Sequence, residues 1–177
     1  MNGLAELNKW IPIFNWFKED EIKKTVALKQ YLAMDSLLQL AINMIIFSLV
    51  PSFCEEVFFR GTMQPIFYRY FHNPWIAIFI TAFIFSAFHM QFSGFLPRLL
   101  AGIVLGGIFY LTGNLWLSVI GHVLYNGLVV ILNYVQPQNQ SVSIFFETIL
   151  LNPFVIVLAA IVMLFAVRHL QRDDVEL

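Results

Sequence analysis

Charged side chains are scarce in this 177-residue chain: they make up 12% of it, whereas about 25% is usual in soluble domains. Hydrophobic residues reach 59%, and nineteen residues are phenylalanine. The net charge of −1 leaves no basic excess for a nucleic-acid partner. The single cysteine, Cys54, excludes an internal disulfide. This composition is typical of a membrane protein, whose expected partner is the lipid bilayer and not nucleic acid.

Long apolar runs fill most of the chain without the alternation of half-buried strands. In lipid, only helices and closed barrels satisfy the backbone, so the sequence predicts an all-α, polytopic transmembrane helical bundle. A span takes about 20 residues, and about six spans are expected, near 32–50, 53–71, 74–91, 95–112, 114–135 and 144–167. We therefore divide the chain into an interfacial, amphipathic N-terminal segment (1–30), a transmembrane domain (31–168) and a charged tail (169–177).

The basic residues predict an orientation if Pro51 separates the first span from the second. One side then holds both termini and the turn at 68–74, and it carries Lys9, Lys18, Lys23, Lys24, Lys29, Arg69, Arg168 and Arg172. The other side carries only Arg98. The positive-inside rule places both termini in the cytoplasm on this count, which puts the polar cavity proposed next nearer the outer face.

Six polar side chains lie inside the spans or at their ends, where such residues are costly and point to function. They are Glu55, Glu56, Arg60, His89, His122 and Asn126. A helix rises about 1.5 Å per residue, so the depth of each side chain follows from its position in its span. On this estimate the polar side chains of three separate helices lie in the same half of the bilayer. A common polar cavity is the simplest explanation.

Sequence spacing assigns these side chains to helix faces. Glu56 and Arg60 are four residues apart, so they can pair on one face and lower the cost of burying both charges. Glu55 points about 100° away from Glu56 and is left free to face a cavity. His122 and Asn126, also four apart, share a face of the fifth span and could bind one small group together.

The residue types indicate a reaction class. A desolvated carboxylate can act as a general base, and an imidazole can share that task. An amide such as that of Asn126 is a suitable hydrogen-bond donor to an oxyanion. These are the parts needed to attack a carbonyl with water, so the pattern favours hydrolysis of an amide bond.

Three segments carry a resemblance to a known family. EEVFFRG (55–61), FSAFH (85–89) and HVLYN (122–126) resemble, in order, the EExxxRG, FxxxH and HxxxN motifs of the CPBP family. This family of CAAX proteases and bacteriocin-processing proteins is also called Abi, and the resemblance covers roughly residues 45 to 130. It implies an all-helical intramembrane endopeptidase, similar to the CAAX prenyl endopeptidases, that acts on peptide or membrane-protein substrates. The resemblance and the short chain favour a bacterial inner membrane, and bacterial relatives are linked to bacteriocin immunity.

The resemblance also implies a role for each motif residue. Glu55 would activate the water with the assistance of His122, and His89 and Asn126 would stabilise the oxyanion. The Glu–Arg pair of the first motif would hold that motif in shape. The family is described both as metalloproteases and as glutamate-dependent proteases. Two alternatives therefore stay open: no required cofactor, or a zinc ion with His89 and His122 as ligands.

Two functions without proteolysis remain as alternatives. A proton-coupled transporter could relay protons through Glu55, His89 and His122, although the chain lacks the internal repeat that many transporters show. A non-catalytic membrane scaffold could keep the shape of the family. All residues of the three motifs are present, which favours the protease.

Overall fold

The computed structural model describes residues 14–91 and 94–135. These ranges contain helices and no strand, which confirms the predicted all-helical class for this part of the chain. The helices are α1 (Phe14–Tyr31), α2 (Leu37–Phe71), α3 (Pro74–Phe88), α4 (Phe95–Thr112) and α5 (Leu115–Val135). The sixth expected span (144–167) and the charged tail (169–177) lie outside the described residues.

Three of the helices, α2, α4 and α5, are long and apolar enough to cross a membrane. The span predicted at 95–112 coincides with α4, and the one predicted at 114–135 coincides with α5 to within one residue. The span predicted at 74–91 is shorter than expected, because α3 ends at Phe88 and Met90 adopts a left-handed conformation with φ 51°. His89 therefore lies at the end of a helix, beside the link to α4.

Short turns with local caps join neighbouring helices. The Oδ1 atom of Asn73 accepts a hydrogen bond from the backbone N–H of Trp75 at 2.9 Å and so caps α3. Gly113, with φ 64°, ends α4 in the left-handed region that glycine adopts without strain. Asn114 then caps α5 by accepting from the N–H of Trp116 at 2.9 Å. These two turns place α3 beside α2 and α5 beside α4.

The spans predicted at 32–50 and 53–71 are not separate: they form one helix, α2, of 35 residues. Two π-helical segments, Ile45–Leu49 and Phe59–Met63, interrupt its α-helical geometry. Pro51 and Pro65 each follow one of them, in the first turn of the next α-helical segment. Because a π turn shifts the hydrogen bonds to residue i−5, it accommodates a proline that lacks an N–H and would clash in a regular helix. The expectation that Pro51 ends a span was therefore wrong.

The π segments also keep one polar row on one face of α2. Every fourth residue is polar and at most 5% exposed: Ser48, Ser52, Glu56, Arg60 and Gln64. In a regular α-helix a four-residue repeat drifts about 40° per step, or about 160° over the row. A π turn holds more residues than an α turn, so the two π segments offset this drift. We call these five residues the polar row.

The ends of the polar row bond to carbonyl groups of neighbouring helices. The hydroxyl of Ser48 donates to the carbonyl of Val123 on α5 at 2.7 Å. The amide of Gln64 donates to the carbonyl of Gly106 on α4 at 2.9 Å. These bonds satisfy polar groups that lipid would leave unpaired, and they fix α2 between α4 and α5.

Two glycines of α4, four residues apart, allow this close packing. A Cβ atom on Gly102 would lie 2.9 Å from the Cβ atom of Ala82 on α3, and one on Gly106 would lie 2.8 Å from Oε1 of Gln64. This spacing, GxxxG, is typical of helices that pack closely in membranes. In the structure both α3 and the polar row of α2 pack against these two glycines.

The bundle has two ends, which we name by what they contain. The turn end holds the two short links His72–Asn73 and Gly113–Asn114. The α1 end holds the start of α2, the end of α3, the start of α4 and the end of α5. At this end Leu32 and Val130 pack together in a buried cluster. Because α2 is continuous, the basic residues of α1 and the turn at 68–74 lie at opposite ends, so the charge count that placed them on one side was wrong.

Candidate active site

A cavity of about 620 Å³ opens between the five helices, with lining residues from each of them. Four of the six residues singled out in the sequence line it: Glu55, His89, His122 and Asn126. Most other lining residues are apolar, among them Leu32 and Val104. The structure thus brings polar side chains from three separate helices to one cavity with mainly apolar walls, as expected for a pocket that receives an apolar ligand.

Glu55 lies between the two histidines. Its Oε1 atom is 4.0 Å from Nε2 of His89, and its Oε2 atom is 3.6 Å from Nε2 of His122. Its side chain is 27% exposed, and Oε2 is buried without a hydrogen-bond partner among the described residues. The carboxylate is thus held close to both imidazole rings with its hydrogen-bonding capacity largely unused.

Glu56 and Arg60 lie behind the cavity wall rather than in the cavity. Both side chains are fully buried, and Nη1 of Arg60 is 2.6 Å from Oε1 of Glu56, so the predicted pairing is present. Nη2 of Arg60 donates to the carbonyl of Gly102 at 3.0 Å. The guanidinium also lies 5.0 Å from the ring centre of Phe85, within the range of a cation–π contact. The pair therefore connects α2 with α3 and α4.

The same buried carboxylate orients His122. Nδ1 of His122 is 2.7 Å from Oε1 of Glu56, and a carboxylate can only accept, so Nδ1 donates. In the neutral ring Nε2 is then a hydrogen-bond acceptor, and it faces Glu55. His89 has the same arrangement, because its Nδ1 atom lies 3.0 Å from the carbonyl oxygen of Phe85. Both rings thus present an accepting Nε2 atom towards Glu55 when they are neutral.

Phe85 packs against both of these rings. Its ring centre lies 5.1 Å from that of His89 and 5.7 Å from that of His122, each with an edge-to-face geometry. Phe85 is 3% exposed. Phe85 is the first residue of the FSAFH segment, and it was not among the six side chains predicted to form the site. Its position one helical turn before His89 was the available signal, since i, i+4 neighbours share a face.

Sequence reasoning also missed Ser52. Nδ2 of Asn126 donates to Oγ of Ser52 at 3.1 Å, and Ser52 is fully buried in the polar row. An amide nitrogen carries two hydrogens, so the second one remains for another acceptor. The signal for Ser52 was its spacing of four residues before Glu56 on an otherwise apolar helix.

The residues present do not form a ready metal site in the described part of the chain. No group of three or more histidine, cysteine, aspartate or glutamate side chains there is arranged to hold a metal ion. A zinc site usually has at least three protein ligands, and Nδ1 of both histidines is engaged elsewhere. A zinc ion bound by His89 and His122 thus stays a prediction, for which only their Nε2 atoms and Glu55 are available.

Comparison with known proteins identifies the family. Searches among curated proteins and among solved structures gave no match. One family model matches residues 37–128, just over half of the chain, and its description is type II CAAX prenyl endopeptidase Rce1-like. The match runs from the start of α2 into α5 and includes all six residues singled out in the sequence. The chain therefore belongs to the Rce1-like family of type II CAAX prenyl endopeptidases, within the CPBP group that the three motifs resemble.

Proposed function

We propose that this protein is an intramembrane endopeptidase in which Glu55 activates water for attack on a peptide bond. The observation that carries the proposal is the position of the Glu55 carboxylate between Nε2 of His89 and Nε2 of His122, on the wall of the cavity. The family supports a CAAX-type protease acting on a peptide at a membrane. The apolar walls suit a substrate that carries apolar side chains or a lipid.

The first step is the attack of water on the substrate carbonyl. A water molecule in the cavity, beside Glu55 and His122, would donate one hydrogen to the carboxylate and one to Nε2 of His122, because both side chains line the cavity. Glu55 takes a proton as the water oxygen bonds to the carbonyl carbon. The carbonyl oxygen becomes negatively charged and accepts a hydrogen bond from the second amide N–H of Asn126. When the His89 ring is protonated, its Nε2–H donates a further hydrogen bond to the same oxygen.

The second step breaks the peptide bond. The carbon–nitrogen bond of the tetrahedral intermediate opens, and the proton held by Glu55 passes to the leaving amine. Glu56 and Arg60 do not touch the substrate in this scheme. They keep Nδ1 of His122 engaged, so that its Nε2 atom stays an acceptor.

The test is cleavage of membrane-tethered peptides by purified protein in bilayers, with Glu55→Gln beside the wild type. The glutamine keeps the size and removes the base, so we expect cleavage to fall by at least a hundredfold, since general base catalysis contributes about 10²–10⁴-fold. Glu19→Gln is the matched control, because Glu19 is exposed on α1 and should leave the rate unchanged. Equal cleavage by wild type and Glu55→Gln would contradict the proposed base.

A chelator arm separates the two mechanistic alternatives. Cleavage that persists with chelator present supports a glutamate-dependent enzyme without a required cofactor. Cleavage that is lost with chelator and restored by zinc would instead make His89 and His122 ligands, with Glu55 beside the metal. If the wild type cleaves no peptide, the scaffold and transporter alternatives take precedence over the protease.

A further inference from the structure

Three buried polar atoms where α2, α3 and α4 pack together have no hydrogen-bond partner among the described residues. They are Nε of Arg60, Oε1 of Gln64 and Oγ1 of Thr81. The three side chains are at most 5% exposed. An unpaired buried polar atom is costly, and most buried polar atoms in folded proteins bond to protein or to ordered water. These atoms therefore point to a ligand.

Thr81 lies on the face of α3 that meets Arg60. Thr81 and Phe85 are four residues apart, so they share this face. The ring centre of Phe85 lies 5.0 Å from the guanidinium carbon of Arg60. The hydroxyl of Thr81 thus lies one helical turn from the point where α3 contacts the guanidinium.

The same face of α3 meets Gln64 in the other direction. Ile78 precedes Thr81 by three residues and shares its face. A Cβ atom on Gly106 would lie 3.2 Å from Cγ2 of Ile78 and 2.8 Å from Oε1 of Gln64, so these two atoms are neighbours. Because α2 and α3 run antiparallel across a short link, Thr81 lies between Arg60 and Gln64.

The hydroxyl of Thr81 differs from the other threonine hydroxyls in the part of the chain that the structure describes. Thr25, Thr62 and Thr112 each donate to a backbone carbonyl one turn earlier in their own helix. Oγ1 of Thr81 makes no hydrogen bond to any described residue, although its side chain is only 1% exposed. Its hydrogen-bonding capacity is thus left for a ligand.

The chemistry of the three atoms selects the kind of ligand. Nε of Arg60 can only donate. Oε1 of Gln64 can only accept, and the orientation of this amide is set because its Nε2 atom donates to the carbonyl of Gly106 at 2.9 Å. An anion would be repelled by Oε1, and a cation would be repelled by the guanidinium. Water can accept from the first atom and donate to the second.

We propose that Arg60, Gln64 and Thr81 bind one buried water molecule between α2, α3 and α4. The water accepts from Nε, donates to Oε1 and bonds to Oγ1, and three hydrogen bonds are typical of buried waters. Gly106 keeps the side of Gln64 open, because a Cβ atom there would lie 2.8 Å from Oε1. This site is separate from the water that attacks the substrate in the proposed mechanism.

The buried water completes the set of partners of the guanidinium. Nη1 of Arg60 is bonded to Glu56, and Nη2 is bonded to the carbonyl of Gly102. With the water on Nε, every nitrogen of the guanidinium has a partner. The same Glu56 oxygen that accepts from Arg60 also holds His122. The water therefore belongs to the support of the active site, and its binding can be tested without any cleavage assay.

The first test is the sign of the change in stability for Thr81→Val, which replaces the hydroxyl by a methyl group of similar size. If the hydroxyl binds the water, the variant leaves a buried hydrogen bond unmade, and the midpoint of thermal unfolding in detergent should fall by about 2–6 °C. Thr81→Ser keeps the hydroxyl and should restore most of the loss. Thr62→Val, at an exposed position of α2, is the matched control. A midpoint for Thr81→Val equal to or above that of the wild type would overturn the site, because replacing an unpaired hydroxyl removes a cost.

The second test asks whether Thr81 and Gln64 share one ligand. Residues bound to the same group have effects that do not add. We therefore expect Thr81→Val to lower the midpoint less in a Gln64→Leu background than in the wild type. An equal decrease in both backgrounds would show that the two side chains act separately, and would overturn the bridging water.

A high-resolution crystal structure of the wild type in lipid locates the water directly and does not depend on how well the variants fold. We expect density for one water within about 2.7–3.2 Å of Nε, Oε1 and Oγ1. A direct hydrogen bond from Oγ1 of Thr81 to Oε1 of Gln64, with no density between them and Nε of Arg60, would overturn the inference. Density for an anion bound to Nε would overturn it as well.

Discussion

Oε1 of Glu56 lies 2.7 Å from Nδ1 of His122, across 66 positions of the sequence. The same oxygen accepts from Nη1 of Arg60 at 2.6 Å. One buried carboxylate oxygen thus joins the cation of α2 to the imidazole of α5. The two adjacent glutamates therefore have different surroundings: Glu55 faces the cavity, and Glu56 is enclosed by its partners.

Arg60→Ala should destabilise the fold more than it affects the chemistry. The variant leaves Glu56 buried with one partner fewer, and breaking a buried ion pair typically costs about 3–5 kcal/mol. We expect a clearly lower midpoint of thermal unfolding in detergent. Arg69→Ala, at an exposed position of the same helix, is the matched control and should have little effect. An unchanged midpoint for Arg60→Ala would refute the role of this pair as a clamp.

Ser52→Ala should lower kcat about threefold to tenfold with little change in KM. The hydroxyl accepts one hydrogen of the Asn126 amide, and a hydrogen bond of this kind contributes about 0.5–1.5 kcal/mol. Ser52 is thus a positioning residue that acts through Asn126. Cys54→Ala, at an exposed neighbouring position, serves as the control. The double variant Ser52→Ala/Asn126→Ala tests this role. If Ser52→Ala lowers kcat in the Asn126→Ala background by the same factor as in the wild type, Ser52 does not act through Asn126.

Gly106→Ala should destabilise the bundle by about 1–3 kcal/mol, the usual cost of overpacking. The added Cβ atom would lie 2.8 Å from Oε1 of Gln64 and 3.2 Å from Cγ2 of Ile78. Gly61→Ala is the control, since its Cβ atom would meet only ordinary contacts at 3.7 Å and beyond. Thermal unfolding in detergent measures both. A Gly106→Ala variant as stable as Gly61→Ala would show that the side chains of Gln64 and Ile78 can make room for the added methyl group, which would contradict the predicted overpacking.

The α1 end of the bundle should face the cytoplasm. Lys23, Lys24 and Arg98 lie at this end, whereas Arg69 lies near the turn end, and the positive-inside rule favours the more basic side. In a Cys54→Ser background, Lys24→Cys should be protected from an impermeant thiol reagent in intact cells, and His72→Cys should react. The reverse labelling pattern would invert this orientation, and the cavity would then open towards the outside.

Local spacing was enough to predict part of the site. The pairing of Glu56 with Arg60 followed from their four-residue separation, and the outward direction of Glu55 followed from the 100° between neighbours. The bond from Glu56 to His122 could not be predicted, because no local rule selects a partner 66 positions away. A proline in an apolar run usually ends a helix, so the sequence favoured a break at Pro51. The π turn that removes the break is a departure from regular periodicity and has no simple sequence signature.

The length of α2 has a consequence for the surrounding lipid. A helix of 35 residues is about 52 Å long at about 1.5 Å per residue, whereas the hydrocarbon core of a bilayer measures about 30 Å. α3, with 15 residues, is about 22 Å long on the same scale. The bundle thus combines one element that exceeds the bilayer with one that falls short of it, so tilt of the first and local thinning beside the second are expected. Membrane thickness then becomes a variable that sets how far the mouth of the cavity lies from bulk water.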